Sequence, residues 1–376
     1  MRILHIITSL ETGGAQRVLI QLLMQLQEKG HIQSVICMKP NGELSQQITD
    51  MGIPLHYMPF QPGTLLRSRS KCELIISTFQ PEIIQSWLYH ADFLTLFLRN
   101  QKKTPIIWGI HHSIGINNQN RLKLSTKIIV RLNAWFSHII PQKIICCSKS
   151  TLLSHSLMGY AESKLVYIPN GIDVNQFKPD PQARESLRME LGLTPDTQLI
   201  GYIARYHPQK DHATFFNAAN LLLEQFGNTH FLLAGDQVVA ANPEIRSYML
   251  SIKNSSHFHF LGLRTDIPRI TAGLDVATLS SSGEALPLTI LEAMACEIPS
   301  VATNVGDVED MVGSCGIIVP SQNPKALADG WMLILNKNPL ERAVMGRSAR
   351  DRVMNYFTNE AMIKHYIDVY NAARSV

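Results

Sequence analysis

Short runs of β-branched and other apolar residues alternate along the chain with longer stretches in which apolar positions follow a helical period. In the N-terminal half these runs predict strands at Ile3–Ile7, Ser34–Met38, Ile83–Trp87, Pro105–Ile110, Lys143–Cys147 and Leu165–Ile168. The helical pattern between them is seen in Ala15–Glu28 and Ser148–Met158. This alternation is typical of parallel sheets that carry helices on both faces.

The same alternation starts again in the second half of the chain. Here the pattern predicts strands at Leu199–Ala204, Thr229–Ala234, His257–Leu261, Val276–Leu279, Ser300–Thr303 and Gly316–Val319. Proline and glycine residues cluster between Pro169 and Asp180, which indicates a boundary. We therefore predict doubly wound domains at residues 1–170 and 171–355, and a terminal helix at 356–376 that packs back toward the first domain. A ligand between two such domains would lie at the carboxyl ends of the strands.

Length and composition agree with two domains, since 376 residues with 45% apolar content can build two cores. No run of about 18 apolar residues predicts a membrane-spanning helix. The first residues lack the pattern of a signal peptide. The six cysteines form no Cys-x-x-Cys pair, which favours reduced thiols over a zinc site. We expect a cytoplasmic protein.

Charge is distributed unevenly between the two halves. Residues 1–170 contain 17 Lys and Arg against 8 Asp and Glu, whereas the remainder contains 17 against 22. Either an anionic partner of the first half or a merely solvated basic face explains this difference. The stretch Arg121–Lys149 places basic residues beside Trp135 and Phe136, which suits an interfacial helix on anionic lipid. The alternative is an ordinary helix packed on the sheet. Nucleic acid is disfavoured, because no basic–aromatic binding module is present.

The segment Gly283–Ala295 carries two carboxylates, Glu284 and Glu292, eight positions apart. Between them, Pro287 opens an Ala-, Leu- and Met-rich run that predicts a helix, since Pro is favoured in the first turn. Free amides and the helix dipole make such a start an anion site. A rise of about 1.5 Å per residue separates the carboxylates by roughly 12 Å, so a diphosphate-linked ligand could reach both. Two solvated glutamates on a helix face are the alternative.

Two cations follow the first strand of the second half. Arg205 and Lys210 leave the end of Leu199–Ala204 at a spacing that lets both reach one site. Arginine offers phosphate a bidentate fork, and lysine offers it a mobile point charge. Unrelated surface cations would have the same appearance.

Two features of the first half also follow predicted strands. Gly13 and Gly14 come after Ile3–Ile7 and allow a ligand close to the backbone, although a tight turn would also use them. His111 and His112 end Pro105–Ile110 next to small residues, which fits a ligand cleft. A neutral imidazole there could bind a hydroxyl or steady charge. Metal ligation is the second possibility, but no carboxylate is nearby in sequence.

Taken together, these motifs resemble a known family. The segment from Glu284 to Glu292 resembles the Glu-(seven residues)-Glu signature of retaining nucleotide-sugar glycosyltransferases of family 4, and Arg205 and Lys210 stand in register with that family's diphosphate clamp. The resemblance extends over nearly the whole chain. The other segments that resemble the family are the Gly13–Gly14 loop, Asn170–Asp173, Phe260–Gly262 with Asp266 and Ile267, and Thr303–Asp307. The chain departs from the pattern at Asp211, Ala285, Leu286 and Glu297, where the family usually has Gly, Gly, an aromatic residue and Gly.

The resemblance implies the GT-B fold, with two facing Rossmann-like domains and a cleft between them, and similarity to bacterial enzymes of surface-polysaccharide synthesis. The C-terminal domain would bind a nucleotide sugar, expected to be a UDP-sugar, without a metal or other cofactor. Glu292 would hold the ribose, and Glu284 the sugar hydroxyls. Arg205, Lys210 and backbone amides near Leu286–Thr289 would hold the diphosphate.

His111 would lie beside the donor sugar, with His112 in reserve, and no protein base is expected because a phosphate oxygen would take the acceptor's proton. The residues expected in catalysis are His111, Glu284, Arg205 and Lys210. Those expected in substrate binding are Gly13, Gly14, His112, Asn170, Leu261, Ile267, Gly283, Ala285, Leu286, Pro287, Leu288, Thr289 and Glu292.

The expected acceptor is a glycan or polyprenyl-diphosphate-linked sugar at the cytoplasmic face of an anionic membrane. Two other functions fit the same architecture. A nucleotide-sugar epimerase would need an acid–base pair that the sequence does not reveal, and a non-catalytic nucleotide-sugar-binding protein would not need the complete set of charged residues. Slow donor hydrolysis that an acceptor accelerates would separate the transferase from both.

Overall fold

The chain forms two compact units, one of which is discontinuous in sequence. The structure, a computed structural model, describes residues 1–59, 65–98, 104–111, 123–252 and 254–375. Unit 1 comprises Met1–Gly171 and Asn359–Val376, and unit 2 comprises Ile172–Thr358. The chain therefore leaves unit 1 after Gly171 and returns to it after Thr358.

Unit 1 is built on a parallel sheet. In its described residues the strands are β1 (Arg2–Ile7), β2 (Ile32–Cys37), β3 (Leu55–Tyr57), β4 (Ile83–Trp87), β5 (Ile106–Ile110), β6 (Lys143–Cys146) and β7 (Leu165–Tyr167). Their order is β3-β2-β1-β4-β5-β6-β7, so the direction of strand addition reverses between β1 and β4. In such sheets ligands bind beside the reversal, at the carboxyl ends of the strands.

Helices connect these strands and cover the sheet. They are α1 (Gly14–Glu28), α2 (Ser45–Asp50), α3 (Leu65–Phe79), α4 (Tyr89–Leu94), α5 (Leu124–Ser137) and α6 (Lys149–Leu157). On one face of the sheet, Leu4, Ile84 and Trp108 form a core with Val130 and Ala134 of α5. Since successive strand residues point to opposite faces, both sides of the sheet are apolar and both are covered.

Unit 2 repeats the architecture. Its strands are β8 (Gln198–Ile203), β9 (Thr229–Ala234), β10 (Phe258–Gly262), β11 (Val276–Leu279), β12 (Ser300–Thr303) and β13 (Ile317–Val319), in the order β10-β9-β8-β11-β12-β13. Its helices are α7 (Pro181–Leu191), α8 (His212–Leu223), α9 (Pro243–Met249), α10 (Ile267–Ala272), α11 (Leu288–Ala295), α12 (Val308–Val312), α13 (Pro324–Leu335) and α14 (Pro339–Tyr356). The strand order reverses between β8 and β11.

Local sequence explains the helix ends of unit 2. At the start of α7, Asp180 Oδ1 accepts a hydrogen bond from the Gln182 amide (2.9 Å), and Pro181 occupies the first turn. Gly192 ends the same helix with a φ of +68°, a conformation that glycine adopts without strain.

Two cores lie on opposite faces of the sheet of unit 2, because Phe231 and Leu233 face one while Leu232 and Ala234 face the other.

The terminal helix, α15 (Asn359–Arg374), belongs to unit 1 and packs against α1. The Asn359 side-chain amide donates to Gln21 Oε1 (3.0 Å), and the Gly171 amide donates to Met362 Sδ (3.2 Å). Arg374 forms an ion pair with Glu82. Tyr366 and Tyr370 of α15 are buried, so the helix is a component of the core of unit 1.

One strand was not expected from the sequence. The three residues of β3 are all half-buried and pair with β2 at the edge of the sheet. Leu-His-Tyr is too short and too mixed in polarity to give a two-residue alternation. Among the described residues, no helix combines the length and the apolar character that crossing a bilayer requires.

Candidate functional site

Two loops meet where the strand order of unit 2 reverses. The first follows β8 and contains Arg205, Gln209 and Lys210; the second follows β11 and contains Ser280–Glu284. The Ser282 amide donates to the Gln209 carbonyl oxygen (2.8 Å), and the Gln209 side-chain amide donates to the Gly283 carbonyl oxygen. These bonds bring the two motifs of the sequence together at the carboxyl edge of the sheet.

Glu284 is held from two sides. Its Oε1 accepts hydrogen bonds from Lys210 Nζ (2.6 Å) and from the Ser281 hydroxyl (2.7 Å). Ser281 is in turn fixed, because its carbonyl oxygen accepts from the Thr303 hydroxyl (2.7 Å) and both residues are fully buried. The Lys210 and Glu284 side chains are only 22% and 13% exposed, so water screens this ion pair weakly.

The other cation, Arg205, is exposed, and the described residues include no ion pair to its guanidinium group. Its guanidinium group is therefore exposed to solvent at the same strand end. Lys210 is fixed through its backbone, since its carbonyl oxygen accepts from the hydroxyls of Tyr202 and Ser280. An exposed arginine and an anchored lysine can both bind one anion.

Asp211 explains one departure from the family pattern. It stands where the family usually has glycine, and its φ of +52° and ψ of +58° are left-handed, a conformation that Asp tolerates. Its carboxylate also caps α8 by accepting from the Thr214 amide (3.2 Å) and hydroxyl (2.7 Å). The neighbouring His212 is buried against Tyr202 and Tyr206. Burial, and secondly the charge of Lys210, lower the pKa of His212 to about 4.

The helix between the two glutamates starts later than expected. Pro287 is the extended residue that precedes α11 (φ −73°, ψ 117°), and Leu288 is the first helical residue. Glu284 therefore lies in the loop and only Glu292 lies on the helix, so the helical rise does not give the distance between the two carboxylates. Glu292 is 3% exposed, which is rare for a carboxylate. Leu288 and Thr289 form the first turn, whose amides have no helical carbonyl partners.

The remaining residues expected at this site have mixed surroundings. Ala285 and Leu286 are buried, and Leu286 packs into one core of unit 2. Gly306 is required beside them: it has a φ of +59°, and a Cβ there would lie 2.2 Å from the Glu284 carbonyl oxygen. Leu261 is half-buried in β10, whereas the Ile267 side chain is in the core, so only the backbone of Ile267 is left to meet a ligand.

In unit 1, the glycine loop follows β1. Gly13 precedes α1 with extended backbone (φ −168°) and Gly14 begins the helix, so neither needs the left-handed conformation. A Cβ on Gly14 would meet no atom within 4 Å, which leaves the space around it open. The loop is tied down by Glu43, whose Oε2 accepts from the amide (3.3 Å) and the hydroxyl of Thr12.

His111 directly follows β5, next to the end of β4. Its ring stacks on Trp87, with 4.9 Å between ring centroids and 16° between planes. The second candidate, His112, lies outside the described residues, as does Arg121 of the basic stretch. Asn170 is buried (6% exposed) at the point where the chain leaves unit 1.

Several neighbours of the candidate residues were not found by sequence reasoning. Gln209, Trp87 and Tyr366 act through contacts between residues distant in sequence, and none was singled out as a candidate. Ser281 contacts Glu284 three residues away, and Thr303 lies in the Thr303–Asp307 segment but was given no role. In the part of the chain that the structure describes, no three His, Cys, Asp or Glu residues are gathered so that they could hold a metal ion.

Comparison with known proteins finds similar families, sequences and folds. A model described as Glycosyltransferase Family 4 matches residues 12–176, and one described as Glycosyl transferases group 1 matches residues 197–337. The chain is 22% identical over 386 residues to the UDP-Gal:alpha-D-GlcNAc-diphosphoundecaprenol alpha-1,3-galactosyltransferase of Escherichia coli, with 98% of this chain and 96% of that protein covered. It is 21% identical over 354 residues to the N,N'-diacetylbacillosaminyl-diphospho-undecaprenol alpha-1,3-N-acetylgalactosaminyltransferase of Campylobacter jejuni, with 90% of each covered.

Among solved structures, Anabaena Alr3699/HepE in complex with UDP aligns with a TM-score of 0.87 at 19% identity, covering 99% of this chain and 100% of that one. At this identity the likeness shows the fold, which is that of the GT-B glycosyltransferases. The expected fold class is confirmed.

Proposed function

The chain belongs to the glycosyltransferases of family 4, and we propose that it transfers a sugar from a UDP-sugar to a polyprenyl-diphosphate-linked acceptor with retention of anomeric configuration. The observation that carries the proposal is the junction of Arg205, Lys210 and Glu284 at the strand reversal of unit 2. The names of the similar transferases from Escherichia coli and Campylobacter jejuni, and UDP in the Anabaena complex, support this choice of substrates.

The donor roles follow from charge and burial. Arg205, Lys210 and the first amides of α11 bind the diphosphate and stabilise the charge that develops as it leaves. Lys210 then exchanges part of its contact with Glu284 for phosphate oxygens, and Ser281 continues to hold the glutamate. Glu284 accepts hydrogen bonds from sugar hydroxyls, and the buried Glu292 accepts them from the ribose.

Unit 1 contributes His111, which hydrogen-bonds or stabilises the reacting sugar, and the glycine loop, which receives the acceptor. No protein group is assigned as a base, since a donor phosphate oxygen takes the acceptor's proton. Metal-independent transfer is part of the proposal, because Arg205, Lys210 and backbone amides supply the positive charge that a cation would otherwise bring to the diphosphate.

The donor assignment is tested by titrating the full chain with UDP, GDP, ADP and their sugars and following thermal unfolding with and without EDTA. We expect a shift with uridine nucleotides that EDTA leaves unchanged. Lys210→Ala and Glu292→Gln should each weaken UDP-sugar binding about tenfold or more, the usual effect of losing a charged hydrogen bond. Lys325→Ala, which removes an exposed lysine of unit 2, is the control. Unchanged binding in both site variants would refute the assigned roles.

The reaction type needs a separate measurement. Acceptor-dependent product whose new linkage has the anomeric configuration of the donor sugar, seen by NMR, supports retaining transfer. Inversion would contradict it. Interconversion of donor sugars without acceptor would favour the epimerase, and binding without any turnover would favour a nucleotide-sugar-binding protein.

We also propose that unit 1 rests on an anionic membrane, where a polyprenyl acceptor resides. Leu124, Ile128 and Trp135 of α5 are 74%, 52% and 66% exposed, and their spacing places them on one face of the helix. The opposite face carries the buried residues Val130 and Ala134. An apolar stripe left in solvent beside basic residues is what an interfacial helix presents to lipid.

The charge around this stripe points to anionic lipid. Lys123, Lys127 and Arg131 lie on the same helix or directly before it, and the sequence contains no Asp or Glu between Asp92 and Glu162. Each basic residue near such a surface contributes about 1 kcal/mol of attraction, which salt screens.

Vesicle flotation tests this contact. The protein should float with vesicles of phosphatidylcholine and phosphatidylglycerol but not with phosphatidylcholine alone, and salt should release it. Trp135→Ala should weaken flotation, whereas Tyr356→Ala, an exposed aromatic residue of unit 2, should not. Equal flotation of both variants would contradict the proposal that the exposed face of α5 contacts the membrane.

A further inference from the structure

Three aromatic rings lie in a row in unit 1, and one of them belongs to His111. Trp87 has the His111 ring at 4.9 Å and the Tyr366 ring at 6.1 Å between centroids, with interplanar angles of 16° and 12°. We refer to His111, Trp87 and Tyr366 as the ring row. Trp87 and Tyr366 are almost completely buried, and neither belongs to a motif that the sequence analysis singled out.

Trp87 is fixed in its plane by a neighbour on the adjacent strand. Its indole N–H donates to His5 Nδ1 (3.3 Å), so the indole cannot rotate without losing a buried hydrogen bond. Burial lowers the pKa of His5 to about 3, while the Gln33 side chain raises it slightly. His5 is therefore neutral and able to accept at neutral pH.

The backbone after Trp87 is held in a strained conformation. Leu88 has φ 72° and ψ 155°, a region that is essentially restricted to glycine. Its amide donates to the Gly109 carbonyl oxygen (3.0 Å), and its carbonyl oxygen accepts from the Asp92 amide (3.0 Å). A Cβ at Gly109 would lie 2.9 Å from the Ser86 carbonyl oxygen, so the ends of β4 and β5 are packed too closely for a side chain at this position. Trp87 and His111 are carried on this closely packed pair of strand ends.

Tyr366 reaches the ring row from the other end of the chain. It lies on α15, which returns to unit 1 only after the whole of unit 2. The helix is anchored on both sides of Tyr366, by Met362 against the Gly171 amide and by Arg374 with Glu82. The ring that backs the indole is thus buried on a helix that contacts unit 1 on both sides of it.

We propose that Trp87 and Tyr366 are positioning residues for His111, and that the terminal helix is consequently part of the reaction site of unit 1. The inference rests on the proposed function of His111. An imidazole that follows a strand end can turn about two side-chain bonds, and a flat aromatic surface removes most of this freedom at low entropic cost. The ring nitrogen that contacts the substrate then stays in the position that the reaction needs. Small displacements of such groups strongly lower the catalytic rate.

The first test compares turnover with binding. Release of UDP from the UDP-sugar that binds the full chain best, with water as acceptor, gives kcat and KM. Trp87→Leu should lower kcat about 10- to 100-fold and change KM little, since donor binding residues lie in unit 2. Trp87→Phe, which keeps an aromatic surface, should recover most of the loss. Tyr366→Leu should lower kcat less, and Tyr366→Phe, which keeps the aromatic ring, should recover most of that loss.

Trp108→Leu is the matched control. Trp108 lies in the same sheet, is fully buried, and donates its indole N–H to Thr95 Oγ1 (2.9 Å) in the core of the other face. It should lose at least as much thermal stability as Trp87→Leu but keep its kcat. A fall in kcat that follows stability in all variants would mean that Trp87 is only a packing residue.

A double-mutant cycle separates the inference from the function on which it rests. In a His111→Ala background, Trp87→Leu should have no further effect on kcat, because there is no imidazole left to position. If His111→Ala alone has no effect, the proposed role of His111 fails. If it lowers kcat and Trp87→Leu lowers it again by the same factor, the role of His111 stands and the positioning proposal is overturned.

Discussion

At the scale of single residues, the geometry of Glu284 depends on a glycine that contacts it only through the backbone. Gly306 has a left-handed φ, and a side chain there would collide with the Glu284 and Ala285 carbonyl oxygens. The Asp307 amide donates to the Ala285 carbonyl oxygen (3.0 Å), so the loop cannot retreat easily. Position 306 therefore has no room for a side chain beside the loop that carries Glu284.

Gly306→Ala should destabilise unit 2 by about 3 kcal/mol, from left-handed strain and overpacking together, and should weaken UDP-sugar binding. Gly192→Ala is the matched control, since it shares the left-handed φ but has open space around it. It should cost about 1 kcal/mol and leave binding unchanged. Urea unfolding and donor titration of both variants check this. Equal losses would show that strain alone matters at position 306.

Sequence reasoning identified the charged residues of this site but not their supports. The motifs that contain Arg205, Lys210 and Glu284 have residue types that indicate phosphate and sugar chemistry. Ser281 and Trp87 do not, because a serine or tryptophan in a strand or loop is unremarkable until its neighbour is known. Trp87 contacts His111 from a neighbouring strand end, and the bond from Ser281 to Glu284 depends on how the loop folds, so residue type alone reveals neither.

At the scale of elements, the predicted strands all correspond to observed ones, because buried parallel strands give continuous apolar runs that periodicity detects well. The short edge strand β3 was missed for lack of such a run. The start of α11 was misplaced by treating Pro287 as helical, whereas its ψ of 117° is extended. The second error lies at the end of an element, where boundaries are least well specified.

The start of α8 offers a test at this scale, since Asp211 combines a left-handed backbone with a helix cap. Asp211→Ala removes the cap and keeps the strain, so it should cost about 1–2 kcal/mol. Asp211→Gly relieves the strain and is a tolerated cap, so it should cost a few tenths of a kcal/mol. Chemical denaturation of both variants measures the difference. Identical stabilities would mean that the Thr214 contacts do not stabilise the helix.

At the scale of the whole molecule, buried histidines should set the acid limit of stability. Burial lowers the pKa of His5 in unit 1 to about 3; burial and, second, the Lys210 charge lower that of His212 in unit 2 to about 4. The unfolded chain, with histidines near 6.5, binds protons below that pH that the folded chain does not. The free energy of unfolding should therefore be largest above pH 6.5 and fall toward pH 4.

The expected slope is up to about 1.4 kcal/mol per pH unit for each histidine. Urea unfolding between pH 5.5 and 7.5 measures it, above about pH 5, where carboxylates with lowered pKa such as Asp266 begin to bind protons in the unfolded chain. His212→Asn should flatten the slope for unit 2. The same slope in the variant and the native chain would assign the acid sensitivity to other groups.

The return of α15 to unit 1 has a consequence for biosynthesis. Unit 2 is continuous in sequence, so its residues are all present before the ribosome makes Asn359. Unit 1 begins first but acquires Tyr366 and Tyr370, which are buried in its core, only after the whole of unit 2 has been made. Domains usually fold in order of emergence. Here the first domain to emerge would be the last to finish, and a chain that stops directly after Thr358 would contain all of unit 2 but lack the Tyr366 ring that stacks on Trp87 in unit 1.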